Sequence, residues 1–330
     1  MRRLRLPWFG PMLGLLLAAG LLAACGAAPP TGSGAATAVV GTAEAVAPTA
    51  AAVATDVAPT VAAAATQVAG GATTVGDDLL ADVRSRGTLR VSTDSNYAPQ
   101  SFLNPSGEWE GFDIEVAREI ASRLGVEAEF LDISFDVITA GSWNGRWDVN
   151  VGSMTVTGPR QEVLIFTTPY YYTPAAFAVH SDSDVSDIAG LEGARVGVGA
   201  ATTYLDYLNG SLELEGETIE SPAPAGATAQ VYDTDLLALQ DLSLGDGTRL
   251  DAVLTALPTV ENAIQNGEPF KVVGDPVYYE ALAVALDRSS ALDSQSLADE
   301  ITRIVEEMRA DGTLTRLSEQ FYGVDIATKR

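Results

Sequence analysis

The chain holds one cysteine, Cys25, and one histidine, His180. One thiol cannot close an internal disulfide, and one imidazole argues against a histidine-based zinc site or a Ser-His-Asp triad. His180 is expected at a strand end or at the surface, without a chemical role. No cofactor and no metal is expected. Cys25 stands apart because of what precedes it. Arg2, Arg3 and Arg5 lead into an apolar run over residues 12–24, the charged and apolar regions of an export signal. Pro7, Gly10, Pro11, Gly14 and Gly20 border or interrupt that stretch, and it is short for a helix that spans a bilayer. A thiol directly behind an export signal is a nucleophile available for modification.

The four residues Leu22-Ala23-Ala24-Cys25 resemble the lipobox of bacterial lipoproteins: an aliphatic residue, two small residues, then cysteine. The resemblance implies that residues 1–24 are removed and that Cys25 carries the lipid through a thioether. Residues 26–76 then run in Ala, Thr, Val, Pro and Gly, almost without charge. Alanine favours helix whereas Pro, Thr, Val and Gly oppose it. Without large apolar groups such a segment cannot offset its ordering entropy, so a disordered tether is expected over residues 25–76. At about 5–6 Å × √n, some 50 flexible residues reach roughly 40 Å.

Of the 330 residues, 47% are hydrophobic and 19% charged, enough for a full core and for one or two domains. The formal net charge of −25 excludes nucleic acid as an expected partner, since phosphate recognition needs a basic surface.

The texture changes near Asp77. Residues 87–93, GTLRVST, read as a turn and a short strand. A helix is expected behind Gly111-Phe112-Asp113, with Asp113 as N-cap, Ile114, Ala117, Ile120, Ala121 and Leu124 on one face, and Gly125 at its end. Strands are expected over 126–130 and 147–153, with a short helix over 135–142. A second series starts at 194–198, with helices near 202–208 and 236–244, strands near 229–232 and 251–254, and a helix from Pro258. A strand over 281–286 and helices over 294–310 and 313–322 close the chain. Strands alternating with helices at this spacing predict βαβ units and parallel sheet in two α/β lobes. Neither lobe carries a dinucleotide fingerprint or a P-loop.

Several segments, in order, resemble the amino-acid-binding family of type II solute-binding proteins that serve ABC importers. They are residues 87–94 with Tyr97-Ala98-Pro99, the Gly111-Phe112-Asp113 helix start, residues 152–160 (GSMTVTGPR), residues 166–171 (FTTPYY), residues 196–203, and Ala310-Asp311-Gly312-Thr313 followed by Phe321. The resemblance covers most of residues 86–323. It implies two lobes joined by two crossover strands that close on a ligand by a hinge, with lobe one at 78–175 plus 277–330 and lobe two at 176–276.

Residue by residue, the resemblance gives Arg160 the ligand carboxylate, helped by Ser153 and Thr155. Pro159 lies in the expected first helical turn there, so the planar guanidinium fork and helix-end N–H groups would act together; the alternative is a surface arginine paired with Glu162. Tyr97 and Phe135 fall where the family places aromatic walls. Asp94 matches an acid that meets polar or cationic ligand groups, or else caps its strand. Thr202 and Thr203 match the turn that completes the carboxylate pocket, though Ala201 stands where glycine is usual.

Ala256 departs from the pattern: the family carries an aspartate there for the ligand ammonium, and a methyl group cannot pair with a cation. Either another acid, such as Asp233 or Glu280, supplies the charge, or the ligand lacks a conventional ammonium. Gln100 likewise stands where an aromatic residue is usual.

The resemblance thus implies a lipid-anchored, monomeric, extracytoplasmic receptor for an amino acid or small carboxylate, with a membrane permease as partner and no catalysis. A dehydratase of prephenate-like carboxylates would need a general acid facing the cleft, for which the sequence offers no clear candidate. A ligand-sensing domain of a signalling system is the remaining alternative.

Overall fold

The computed structural model describes residues 78–329, so Cys25, the export signal and the tether lie outside the described residues. In chain order the first elements are α1 (Leu79–Arg86), β1 (Thr88–Thr93), β2 (Asn96–Tyr97), β3 (Ser101–Leu103), β4 (Trp109–Glu110), α2 (Phe112–Leu124), β5 (Glu127–Asp132), α3 (Phe135–Thr139), β6 (Val149–Thr155), α4 (Gly158–Val163) and β7 (Leu164–His180). There follow β8 (Arg195–Gly199), α5 (Thr203–Asn209), β9 (Thr228–Tyr232), α6 (Asp235–Leu242), β10 (Ala252–Ala256), α7 (Leu257–Gln265), β11 (Phe270–Asp287), α8 (Gln295–Ala310) and α9 (Thr313–Tyr322).

The main sheet has the order β5-β1-β6-β11-β7-β10-β8-β9. It is mixed rather than parallel throughout. β5, β1 and β6 run parallel on one side, and β9, β8 and β10 do so on the other. The long strands β7 and β11 lie between them, antiparallel to each other, with β11 pairing antiparallel to β6 and β7 antiparallel to β10. They pass through both lobes and are the two-strand connection.

The expected apolar face of α2 is buried: Ile114, Ala117, Ile120, Ala121 and Leu124 all lie in the core. Burying a side chain the size of Ile or Leu is worth about 1.5–3 kcal/mol, so this face alone can hold α2 to the sheet. Asp113 does not cap the helix. Gly111 does, at φ 130, where a Cβ would fall 2.2 Å from the Gln100 carbonyl oxygen. No other residue could bring the chain in that closely.

Each half builds its parallel strands around the same clamp. Arg90, the third residue of β1, donates from its backbone N–H and guanidinium to Asp148, which immediately precedes β6. Arg195 opens β8 and does the same to Asp251, ahead of β10. A forked guanidinium matched to a carboxylate fixes the register of the two strands.

The apolar cores divide accordingly. One cluster joins α1, α2, β1 and β6 to α8 and α9, and a smaller one gathers Ile138, Trp143, Trp147 and Met154. On the other side, one cluster surrounds β8 and α5, and another holds α6 and Val260 of α7. His180 ends β7 as expected, but it is buried, and its Nδ1 accepts from the backbone N–H of Asp182.

Candidate functional site

A cavity of about 50 Å³ lies where the C-terminal ends of β1, β6 and β8 meet β11. All eight residues expected from the sequence line it: Asp94, Tyr97, Phe135, Ser153, Thr155, Arg160, Thr202 and Thr203. A larger groove, about 810 Å³, runs along Tyr172, Pro174, Tyr279 and the end of α9 and contains none of them.

Arg160 reaches the cavity from α4, whose first turn is set by the Thr157 hydroxyl accepting from the Arg160 N–H and by Pro159. The side chain is 7% exposed and forms no ion pair with Glu162. Its Nη1 donates to the Thr155 carbonyl at 3.0 Å and its Nη2 to the Ala201 carbonyl at 2.9 Å. It also lies over the Phe135 ring, 5.3 Å from the centroid, so Phe135 supports the guanidinium as well as walling the cavity. Ala201 presents its carbonyl from φ 58, a left-handed conformation that costs an alanine about 1–2 kcal/mol. The chain thus makes the close approach that glycine would permit more cheaply.

Two of the expected hydroxyls, those of Ser153 and Thr202, are turned elsewhere. Ser153 Oγ donates to the buried carboxylate of Asp113 and pairs with Tyr171 Oη, and the residue sits at φ 54. Thr202 caps α5 and donates to the Gly199 carbonyl. Tyr97 Oη lies 3.3 Å from Tyr204 Oη across the cleft. Asp94 accepts from the Asn96 backbone N–H, the strand-end cap, while also lining the cavity, and burial raises its carboxyl above the ordinary range.

Thr155 and Thr203 point at the centre, where a protein carboxylate stands. Glu280 of β11 is 1% exposed and accepts from Thr155 Oγ1 at 2.6 Å, from Thr203 Oγ1 and from Tyr204 Oη at 2.9 Å. Burial raises its pKa, against the pull of those three hydroxyls.

Asp235, the first residue of α6, lines the same cavity and was missed by the sequence reading. It accepts from the Gly199 N–H at 2.8 Å and from Thr255 Oγ1 at 2.7 Å, and burial lifts its carboxyl from 3.8 to about 7. A Cβ on Gly199 would fall 2.6 Å from Asp235 Oδ1, so glycine is required there. The only signal in the sequence was an acid at a helix start, which the helix dipole explains without a site.

Two expectations are corrected. Buried acids do face the cleft: Glu280 and Asp235 are both in place, whereas Asp233 is an exposed residue at the rim. Gln100 is no part of the cavity lining; it is fully buried and donates from Nε2 to Thr259 Oγ1 of α7 at 3.1 Å, joining the lobes.

The match with a family model covers residues 89–324 and is to the bacterial extracellular solute-binding proteins, family 3. The chain belongs to this family. Among its relatives, the L-cystine-binding protein of Escherichia coli is 29% identical over 76% of this chain and 88% of its own length. The histidine-binding periplasmic protein of Salmonella typhimurium is 28% identical over 72% of this chain and 88% of its own length. Among solved structures, an ancestral arginine-binding protein bound to arginine superposes with a TM-score of 0.62 at 30% identity, covering 72% of this chain and 99% of that one. The fold is the two-lobed type II periplasmic-binding fold of this family, two α/β lobes joined by β7 and β11. Among the described residues, no helix is long and apolar enough to cross a membrane.

Proposed function

We propose that the chain is a lipid-anchored extracytoplasmic receptor that captures an amino acid or related small carboxylate and hands it to an ABC permease. One observation carries this reading: Arg160, Thr155 and Tyr97 from one lobe and Thr202 and Thr203 from the other converge on a single interlobe cavity. The eight lining residues expected from the sequence are the ligand contacts in this reading. Residues 78–175 with 277–330 form lobe one and residues 176–276 form lobe two, a division supported to within a few residues by the change of core between Tyr171 and Ala175 and between Tyr278 and Leu282. Cys25 is the lipid attachment point, residues 1–24 the export signal and 25–76 the tether, on the sequence pattern alone. The receptor acts as a monomer and binds without turnover.

Ligand binding to the native state raises the melting temperature by mass action. Thermal melts of the full chain against the twenty amino acids and a set of small carboxylates therefore test the reading. At least one compound should shift the melt in a concentration-dependent way; a folded sample that answers to none would refute the receptor role. The buried carboxyls of Asp235 and Glu280 also meet the requirement for a general acid, so the same sample should be assayed with prephenate. Turnover would replace the binding-only reading with the dehydratase one.

A further inference from the structure

The cavity is unbalanced in charge. Of its lining residues, Asp94, Asp233, Asp235 and Glu280 are acids, and Arg160 is the one cation. Arg160 acts on Glu280 only through space and makes no contact ion pair with it; its two terminal nitrogens donate to the carbonyls of Thr155 and Ala201. Glu280 has no ion-pair partner within 4 Å among the described residues; Thr155, Thr203 and Tyr204 hydroxyls are its hydrogen-bond donors. Asp235 is likewise held by a backbone N–H and the Thr255 hydroxyl. A carboxylate buried among neutral donors is costly until a cation faces it.

Ala256 ends β10 next to the Thr255 that holds Asp235, and it is fully buried outside the cavity lining, so it brings no charge to the site. The two buried acceptors of the cavity are Glu280 and Asp235. One lies on the hinge strand β11 and the other at the start of α6.

We propose that Glu280 receives the positive charge of the ligand, with Asp235 beside it, and that the site selects ligands of net positive charge. This rests on the interlobe cavity being the solute site. Burial that raises Asp235 and Glu280 above their ordinary range fits the same picture, since an incoming cation would restore their ionised forms.

The decisive comparison is L-arginine against L-citrulline, which share size and shape and differ by the guanidinium charge, measured by titration calorimetry on the full chain. L-Arginine should bind at least about tenfold more tightly than L-citrulline, and L-glutamate should not bind. Glu280→Gln keeps the shape and removes the charge; it should reduce L-arginine affinity by about tenfold or more while leaving the melt of the free protein cooperative. Equal affinity for L-arginine and L-citrulline, tight L-glutamate binding, or unchanged affinity in the variant would overturn the proposal. Should Glu280→Gln not fold, the wild-type comparison decides alone. Failure here is distinct from failure of the receptor reading: neutral or acidic amino acids that bind in place of the cations sink the charge selection only. No response to any amino acid or small carboxylate sinks the receptor reading itself.

Discussion

Asp113 lies beneath the cavity, fully buried, where Ser153 and Tyr170 hydroxyls donate to its two oxygens. Burial carries its pKa from 3.8 to about 7, so between those values the folded protein holds a proton that the unfolded chain has released. The extra proton stabilises the fold at acid pH, and that contribution is lost as pH rises towards and past 7. Asp113→Asn removes the titration and can still bond to Ser153 and Tyr170. The melting temperature of the wild type should therefore fall more between pH 5 and pH 8 than that of the variant; parallel curves would show that Asp113 is not the group responsible. Asp113 also shows how far single residues can be read from sequence. Its position ahead of an amphipathic run looks like a helix cap, yet Gly111 takes that place because only glycine fits against the Gln100 carbonyl. Arg160 was legible because its neighbours Thr157 and Pro159 fix the local turn, whereas Asp235 depends on Gly199 and Thr255, 36 and 20 residues away.

At the scale of elements, the parallel strands β1, β5, β6, β8, β9 and β10 and the helices from α5 to α9 were legible because local pattern decides them, whereas the two- and three-residue strands β2 to β4 were not. Nor were the hinge strands. β7 runs for 17 residues and β11 for 18, where the sequence shows only short apolar runs broken by Pro169, Pro174 and Pro276. Proline removes a ladder hydrogen bond and argues against a central strand. Here β11 shifts register opposite the interruptions, between Val273 and Tyr278 and between Leu282 and Ala283, so the strands continue past them. The arginine–aspartate clamps set the other strands. In lobe one the Asp148 side chain is wholly buried and pairs with both Arg86 and Arg90; in lobe two the Asp251 side chain is 34% exposed and pairs with Arg195. Removing one partner of a buried pair leaves the other uncompensated, while an exposed pair is worth little. Asp148→Ala should therefore cost about 3 kcal/mol in urea unfolding and Asp251→Ala about 1 kcal/mol. Equal losses would mean that burial does not set the strength of the clamp.

At the largest scale the described residues show, the two lobes are held together by bonds that cross the cleft. Tyr97 meets Tyr204, Arg160 meets the Ala201 carbonyl, and Gln100 meets Thr259. The first two involve cavity residues, so a substitution there would change ligand contacts and closure together. Gln100 separates the effects: it is buried, outside the cavity lining, and its amide donates to α7 from the loop that follows β2. A ligand that binds between two lobes favours the closed form, and apparent affinity scales with the fraction of molecules able to close. Loss of one buried hydrogen bond is worth about 1 kcal/mol, so Gln100→Ala should weaken binding several-fold without altering which ligands are preferred. Small-angle scattering should show a larger radius of gyration for the free variant than for the free wild type, and saturating ligand should bring both to the same value. A selective loss of one ligand would instead place Gln100 in recognition, and unchanged affinity with unchanged radius would show that the Gln100–Thr259 bond does not govern closure.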